Sequence, residues 1–207
     1  MDGKKIKALV QLTKQAYAFV LDRTNGKPVW PIEEKPVPQG NIPGEVYSPT
    51  QPVPTKPAPL ELQQLTENDL IDFTKELRVQ AQEIFKQYTA GPIFSPAPLD
   101  HEMIMLPGTT GAANWNGGGF DPDTGMLYVP SKQGMSVTGL AAPGPDRKAN
   151  LRYIQVPPKT PNMRGSVPLL KPPYSRLTAV NMNTGDHVWM TPAGNGDRIR
   201  NLPELPP

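Results

Sequence analysis

One short frame occurs twice intact along this chain and a third time in part, and it constrains the fold more than any other feature. The two intact copies are Val20-Leu-Asp22-Arg-Thr-Asn25-Gly26-Lys-Pro-Val-Trp30 and Ala179-Val-Asn181-Met-Asn-Thr184-Gly185-Asp-His-Val-Trp189. The third, Phe120-Asp121-Pro-Asp-Thr124-Gly125-Met-Leu-Tyr128, keeps the turn and puts a tyrosine near the aromatic position. The Asp or Asn accepts the hydrogen bonds that close a tight turn, and the Gly takes the backbone conformation that other residues resist. The aromatic ring that follows suits packing flat between neighbouring sheets. The expected architecture is radially stacked sheets. The copies start roughly 100 and 60 residues apart, as expected if an insertion separates two blades.

Composition agrees with short strands and long connections. The 207 residues include 28 Pro and 18 Gly but only 37% hydrophobic residues. Proline fixes φ and lacks an amide donor, which keeps ordered segments short and argues against a helical bundle. A net charge of +2 gives no strong field for nucleic acid or an anionic membrane. The chain has no cysteine, hence no disulfide, thiol nucleophile or thiolate metal site. The opening MDGKKIKALVQLTKQAYAFVLDR lacks the layout of a signal peptide, and no stretch approaches the roughly 18 apolar residues of a membrane span.

Strand-like runs cover Lys5 to Leu12 and Ala16 to Leu21, which predicts a hairpin across Thr13-Lys14-Gln15. A third short strand begins at Val29 and Trp30 after the Asp22–Lys27 turn. From Pro31 to Pro59 the Pro, Glu, Lys and Gln content predicts a long loop running extended over a surface. Leu77, Ala81, Ile84, Phe85 and Tyr88 share one helical face, with Thr74 placed to cap the start and Gly91-Pro92 to end it. A short turn is expected at Glu67 to Ile71. Strand signals return at Ala113 to Phe120, Met126 to Pro130, Leu151 to Val156, Leu177 to Asn181 and His187 to Met190.

These repeats, together with LTKQAYAFVLDRTNGKPVWPIEEKPVPQG, SPTQPVPTKP and GAANWNGGGFDPDTGMLYVPS, resemble the quinoprotein dehydrogenases that use pyrroloquinoline quinone, most nearly the membrane-type glucose dehydrogenase branch. The resemblance covers nearly the whole chain and implies an all-β fold, a partial eight-bladed β-propeller spanning 1–207. Residues 31–100 would be a Pro-rich loop plus helical insertion between blades, and the rest suffices for about three blades. Too few to close a ring, these blades imply exposed sheet edges and weak stability.

The resemblance also implies function. The parent would oxidise a sugar or alcohol by hydride transfer to pyrroloquinoline quinone, with calcium beside the cofactor and ubiquinone or a cytochrome as electron acceptor, in a periplasmic or membrane-associated setting. Lys14 matches the cation that hydrogen-bonds the reactive carbonyls of the quinone, where it would stabilise negative charge as hydride arrives. Asn114 and Trp115 match the Asn-Trp pair lining the cofactor pocket; Gly117 and Gly118, which follow, could serve only the backbone. The general base, the calcium ligands and the stacking tryptophan lie earlier in the family than Lys14, so this chain alone is expected to be inactive.

The remaining candidates read as structural. His101 and His187 are expected to be structural or solvated, and Asp100 and Glu102 do not form an acid/base pair by proximity in sequence alone. Asp22, Asp121 and Asn181 belong to turns, and Lys27 to Lys35 to a wet surface. Two other classes remain, a propeller-like binding module without chemistry and a carbohydrate-binding envelope protein whose Gly-Asn-Trp segment contacts sugar.

Overall fold

The structure is a computed structural model that describes residues 5–157, 159–161 and 163–205. The chain opens with the expected hairpin, β1 (Ala8–Leu12) against β2 (Ala18–Asp22) in register Leu12↔Ala18. The second strand starts two residues later than expected because Ala16 takes a φ of 65° inside the connecting turn. Leu12, Ala18 and Val20 are buried.

Val29 and Trp30 do not form a strand. The ladder continues only as a bridge between Leu21 and Pro28, flanked by hydrogen bonds from Asp22 N to Lys27 O and from Val29 N to Val20 O, both 2.8 Å. Pro28 and Pro31 remove the amides that would extend it.

The segment expected as an extended loop contains a two-stranded ribbon, β3 (Ile32–Pro36) paired antiparallel with β4 (Thr50–Pro54). An antiparallel strand turns only alternate amides toward its partner. Pro52 and Pro54 occupy the alternate positions, while Thr55 N donates to Pro31 O and Val37 N to Pro49 O. Proline therefore limits this ribbon to two strands without preventing it.

A 3₁₀ turn at Glu67–Asp69 precedes helix α1 (Lys75–Phe85). Thr74 caps the helix, its Oγ1 accepting from Leu77 N at 3.1 Å. The helix closes at Phe85, ahead of Gly91-Pro92, and Tyr88 packs beside it from the following turn. Leu77 and Ala81 point into a core with Leu70, Ile71, Ile104, Leu106, Val137 and Leu169. Over this core lies a small sheet that periodicity did not reveal, formed by β5 (Thr89–Ala90), β6 (Met103–Met105) and a later strand at Ser136–Thr138.

The main sheet is β7 (Gly119–Asp121), β8 (Met126–Lys132) and, after β9 (Ser136–Thr138), β10 (Leu140–Ala141) and β11 (Ile154–Gln155), the long pair β12 (Ser175–Asn181) and β13 (Asp186–Pro192). Its order is β13-β12-β8-β7, antiparallel throughout, so the four strands meander in chain order. The short helix α2 (Asp197–Arg200) follows. Of the run expected at Ala113 to Phe120 only Gly119 and Phe120 are strand, because the preceding residues turn, with Gly117 at φ 65°. Of Leu151 to Val156 only β11 pairs.

Two of the three repeat copies therefore lie in one sheet and do not mark separate blades. The Asp121–Gly125 turn joins β7 to β8, and the Asn181–Gly185 turn joins β12 to β13. Among the described residues there is one four-stranded sheet, with β7 and β13 at its edges.

The turns follow the chemistry expected of them. In the first, Asp22 Oδ1 accepts from Thr24 N at 2.9 Å and Gly26 N returns to Asp22 O at 2.7 Å. Asp121 and Asn181 accept from Asp123 N at 3.0 Å and Asn183 N at 2.9 Å. Gly26, Gly125 and Gly185 all have positive φ, 73°, 71° and 78°.

The aromatics serve two different contacts. Tyr128, Ala179 and Trp189 stand in one row across β8, β12 and β13, and the two rings meet 5.9 Å apart over the fully buried Ala179. Trp30 crosses from the first copy to the last, where its ring packs on Gly185. Lys56 holds the same turn, with Nζ 3.0 Å from Thr184 O and 2.9 Å from Asp186 Oδ1. A second core of Leu12, Ala18, Leu60, Leu127, Val129 and Val180 fills the space between the β1–β2 hairpin and the main sheet.

Candidate cofactor site

Lys14 stands at the tip of the β1–β2 hairpin. Thr13 ties the turn, its N donating to Tyr17 O at 3.0 Å while its Oγ1 accepts from Tyr17 N at 3.2 Å. Each carbonyl of the tip is held from outside. Lys14 O accepts from Ala112 N at 3.1 Å, Gln15 O from Gln63 Nε2 at 2.8 Å and Ala16 O from Leu60 N at 2.9 Å. The tip is thus fixed to two other segments, 60–63 and 108–113.

The second of these is the glycine turn that carries Asn114. Gly108 N donates to Gly134 O at 2.7 Å and Gly111 N to Gly108 O at 2.8 Å. This bend places Thr109 O 3.2 Å from Lys14 Nζ, among the described residues a single carbonyl partner for an ammonium with three donors. Gly111, at φ 81°, is the point of closest approach: a Cβ there would strike Asn114 Oδ1 and stand 2.6 Å from Lys14 Cγ. Lys14 and Asn114, 100 residues apart in sequence, therefore flank one glycine.

Each of the two also borders its own hollow. Lys14 lines a cavity of about 260 Å³ with Gln15, Phe94, Met103, Met105 and Thr109. Asn114 lines one of about 180 Å³ with Gln11, Leu12, Gly117, Gly118 and Leu127. Asn114 Oδ1 is buried and has no hydrogen-bond partner among the described residues. Trp115 lines neither hollow and is 80% exposed.

The other residues singled out from the sequence lie outside this arrangement. His101 is exposed, and a His187 ring nitrogen lies 3.0 Å from Ala58 O. Glu102 pairs with Lys159 at 2.9 Å, while Asp100 is exposed. Asp22, Asp121 and Asn181 close their turns, and Glu33, Glu34 and Lys35 form exposed positions of β3.

One charged residue escaped the sequence reading. The Glu61 side chain is fully buried, with Oε1 accepting from Ser131 Oγ at 2.7 Å and Oε2 forming an ion pair at 3.3 Å with Arg176 Nη2. Burial raises its carboxyl above the usual glutamate range, against the opposing pull of the Ser131 hydroxyl and the Arg176 guanidinium. Arg176 is itself held by Gln133 Oε1 at 2.9 Å.

The residues beside Gly111 suit a flat anionic quinone. An unspent ammonium and an orphaned amide oxygen adjoin one another, and the absence of a Cβ lets the backbone approach closely. An amide group reoriented by rotation offers its N–H to a carbonyl in place of its oxygen. For calcium there is no comparable set: among the described residues, no three His, Asp or Glu side chains converge where they could hold a metal ion. No helix among them is long and apolar enough to cross a membrane.

A meandering four-stranded antiparallel sheet, with Trp30 docked on its Gly185 turn, has the form of a propeller blade. Comparison with known proteins agrees. Residues 1–206 match the family model for the PQQ glucose/ethanol/alcohol dehydrogenase β-propeller domain, and the chain belongs to that family. It is 30% identical over 93% of its length to the glycerol dehydrogenase large subunit of Gluconobacter oxydans, covering 30% of that protein. It is 30% identical to the quinate/shikimate dehydrogenase (quinone) of Acinetobacter baylyi, over 93% of this chain and 26% of the relative. With quinoprotein glucose dehydrogenase A of Acinetobacter calcoaceticus the identity is 29% over 99% of this chain and 28% of that one. The chain thus spans under a third of the length of these curated relatives.

Proposed function

We propose that this chain supplies one wall of the cofactor pocket in an eight-bladed quinoprotein dehydrogenase, which oxidises a sugar or alcohol carbon bearing a hydroxyl. The observation that carries this reading is the meeting of Lys14 and Asn114 at Gly111. Pyrroloquinoline quinone, when bound, supplies an electrophilic carbonyl that accepts the hydride, so the substrate's CH–OH becomes C=O and its hydroxyl proton goes to a base. Lys14 would donate to a carbonyl oxygen of the bound quinone and stabilise negative charge there. Asn114 would offer its amide to a carbonyl or carboxylate of the group from the neighbouring hollow, and Trp115, exposed outside both hollows, would offer an aromatic face to a part that reaches beyond them.

Among the described residues no carboxylate or imidazole lines either hollow, and in this reading the base that takes the proton comes from outside these walls. The cofactor's calcium and the final electron acceptor, a ubiquinone or a cytochrome, belong to the same proposal, as does a periplasmic or membrane-associated setting. Residues 31–100, in this reading, are an insertion between blades.

The test is titration of the protein with pyrroloquinoline quinone and calcium, read by cofactor absorbance, followed by a panel of sugars, polyols and alcohols. Lys14→Ala is expected to weaken cofactor binding roughly 10- to 100-fold, the worth of a charged hydrogen bond. Unchanged affinity in Lys14→Ala overturns the reading. Binding of sugars that is indifferent to the quinone would point to a carbohydrate-binding protein instead.

A further inference from the structure

We infer that Glu61 is a positioning residue for Lys14: it clamps the segment that holds two of the three carbonyls at the Lys14 tip. This inference rests on the proposed role of Lys14. Glu61 lies between the two groups that hold the tip, Leu60 N on Ala16 O at 2.9 Å and Gln63 Nε2 on Gln15 O at 2.8 Å. The Gln63 amide also donates to Glu61 O at 3.1 Å, so it bridges the tip and the Glu61 backbone. The Glu61 side chain runs the other way, into the main sheet, to Ser131 on β8 and Arg176 on β12.

The third carbonyl closes the same circuit. Ala112 N holds Lys14 O, and Ala112 O accepts from Lys132 N at 3.1 Å, the residue after Ser131. Both supports of the tip therefore end at the same end of β8. Without the Glu61 carboxylate, segment 60–63 keeps its apolar contact through Leu60 but loses its polar attachment to the sheet. A buried carboxylate opposes folding unless it is compensated, and here Ser131 donates a hydrogen bond to Oε1 while Arg176 faces Oε2 as an ion pair. Packing alone would be met by an apolar side chain.

The experiment compares Glu61→Ala, Lys14→Ala and the double variant in the full-length protein that carries this chain, reconstituted with pyrroloquinoline quinone. Two quantities are read, cofactor affinity and hydrogen exchange at the backbone amides of Leu60 and Ala112. Glu61→Ala is expected to weaken the cofactor about tenfold in the Lys14 background and to have no further effect once Lys14 is alanine. Exchange at Leu60 and Ala112 should speed up at least as much, while Val129 and Val180 in the main sheet keep their protection.

Additive losses in the double variant, or unchanged exchange at Leu60 and Ala112, overturn the inference. A wild-type affinity in Lys14→Ala removes the cofactor role of Lys14 but leaves the exchange comparison to decide whether Glu61 holds the tip. Where Glu61→Ala does not fold, Glu61→Gln makes the same comparison, since it keeps an acceptor for Ser131 and loses only the charge facing Arg176.

Discussion

The indole of Trp30 lies against Gly185, so close that a Cβ on the glycine would stand 2.9 Å from the ring. Gly185 also has a φ of 78°, which an L side chain adopts only with strain. Gly185→Ala should therefore cost roughly 1–3 kcal/mol in urea unfolding. Gly194, also at positive φ but facing open space, is the control: its alanine variant carries the strain without the collision and should lose less.

Gly111→Ala tests the site itself. The new methyl group would press on Lys14 and Asn114 together, and displacement of positioned groups by about 1 Å costs function heavily. Cofactor affinity should fall roughly 10- to 100-fold, measured by equilibrium titration, with a larger loss than stability alone predicts.

The hairpin turns carry a pH dependence. Hydrogen bonds from Thr124 and Asp123 hold the Asp121 carboxyl below the ordinary aspartate range, and those from Thr24 do the same for Asp22. A lowered pKa in the folded state means that the unfolded chain binds protons first, so this stability is present above the unfolded value and lost as pH falls through the folded one. Asn181 makes the same backbone contact without ionising. Asp121→Asn should flatten the acid limb of a urea-midpoint profile between about pH 5 and pH 2, leaving the neutral end nearly unchanged.

Trp115 separates stability from binding. At 80% exposure, Trp115→Ala should shift the unfolding free energy by less than about 0.5 kcal/mol in thermal melts. Weaker cofactor binding by the same variant is the outcome expected from its proposed place beside the quinone.

What could be read from the sequence was local chemistry. Asp22, Asp121 and Asn181 with their glycines specify turns within five residues, and Thr74 specifies the start of a helix within four. Partnership across the chain was harder. The second and third repeat copies share one sheet, and only strand pairing between Tyr128 and Ala179 reveals it. The β3–β4 ribbon was hidden because proline content says nothing about which amides face a partner. Lys14 and Asn114 stood out through resemblance to a family; their meeting at Gly111 depends on a bend at Gly108 that no periodicity encodes. Glu61 sits in Leu-Glu-Leu-Gln-Gln, where an acid looks solvated, and its hydroxyl partner is 70 residues away. The one available signal was the leucine on either side.

The rings of Tyr128 and Trp189, 5.9 Å apart and tilted by 39°, have a consequence for observing this protein. Chromophores so near one another and held at a fixed skew couple their electronic transitions, giving a paired circular-dichroism signal that neither ring shows alone. That couplet reports the zipping of β13 onto β8 through β12, an intrinsic optical marker needing no dye or label.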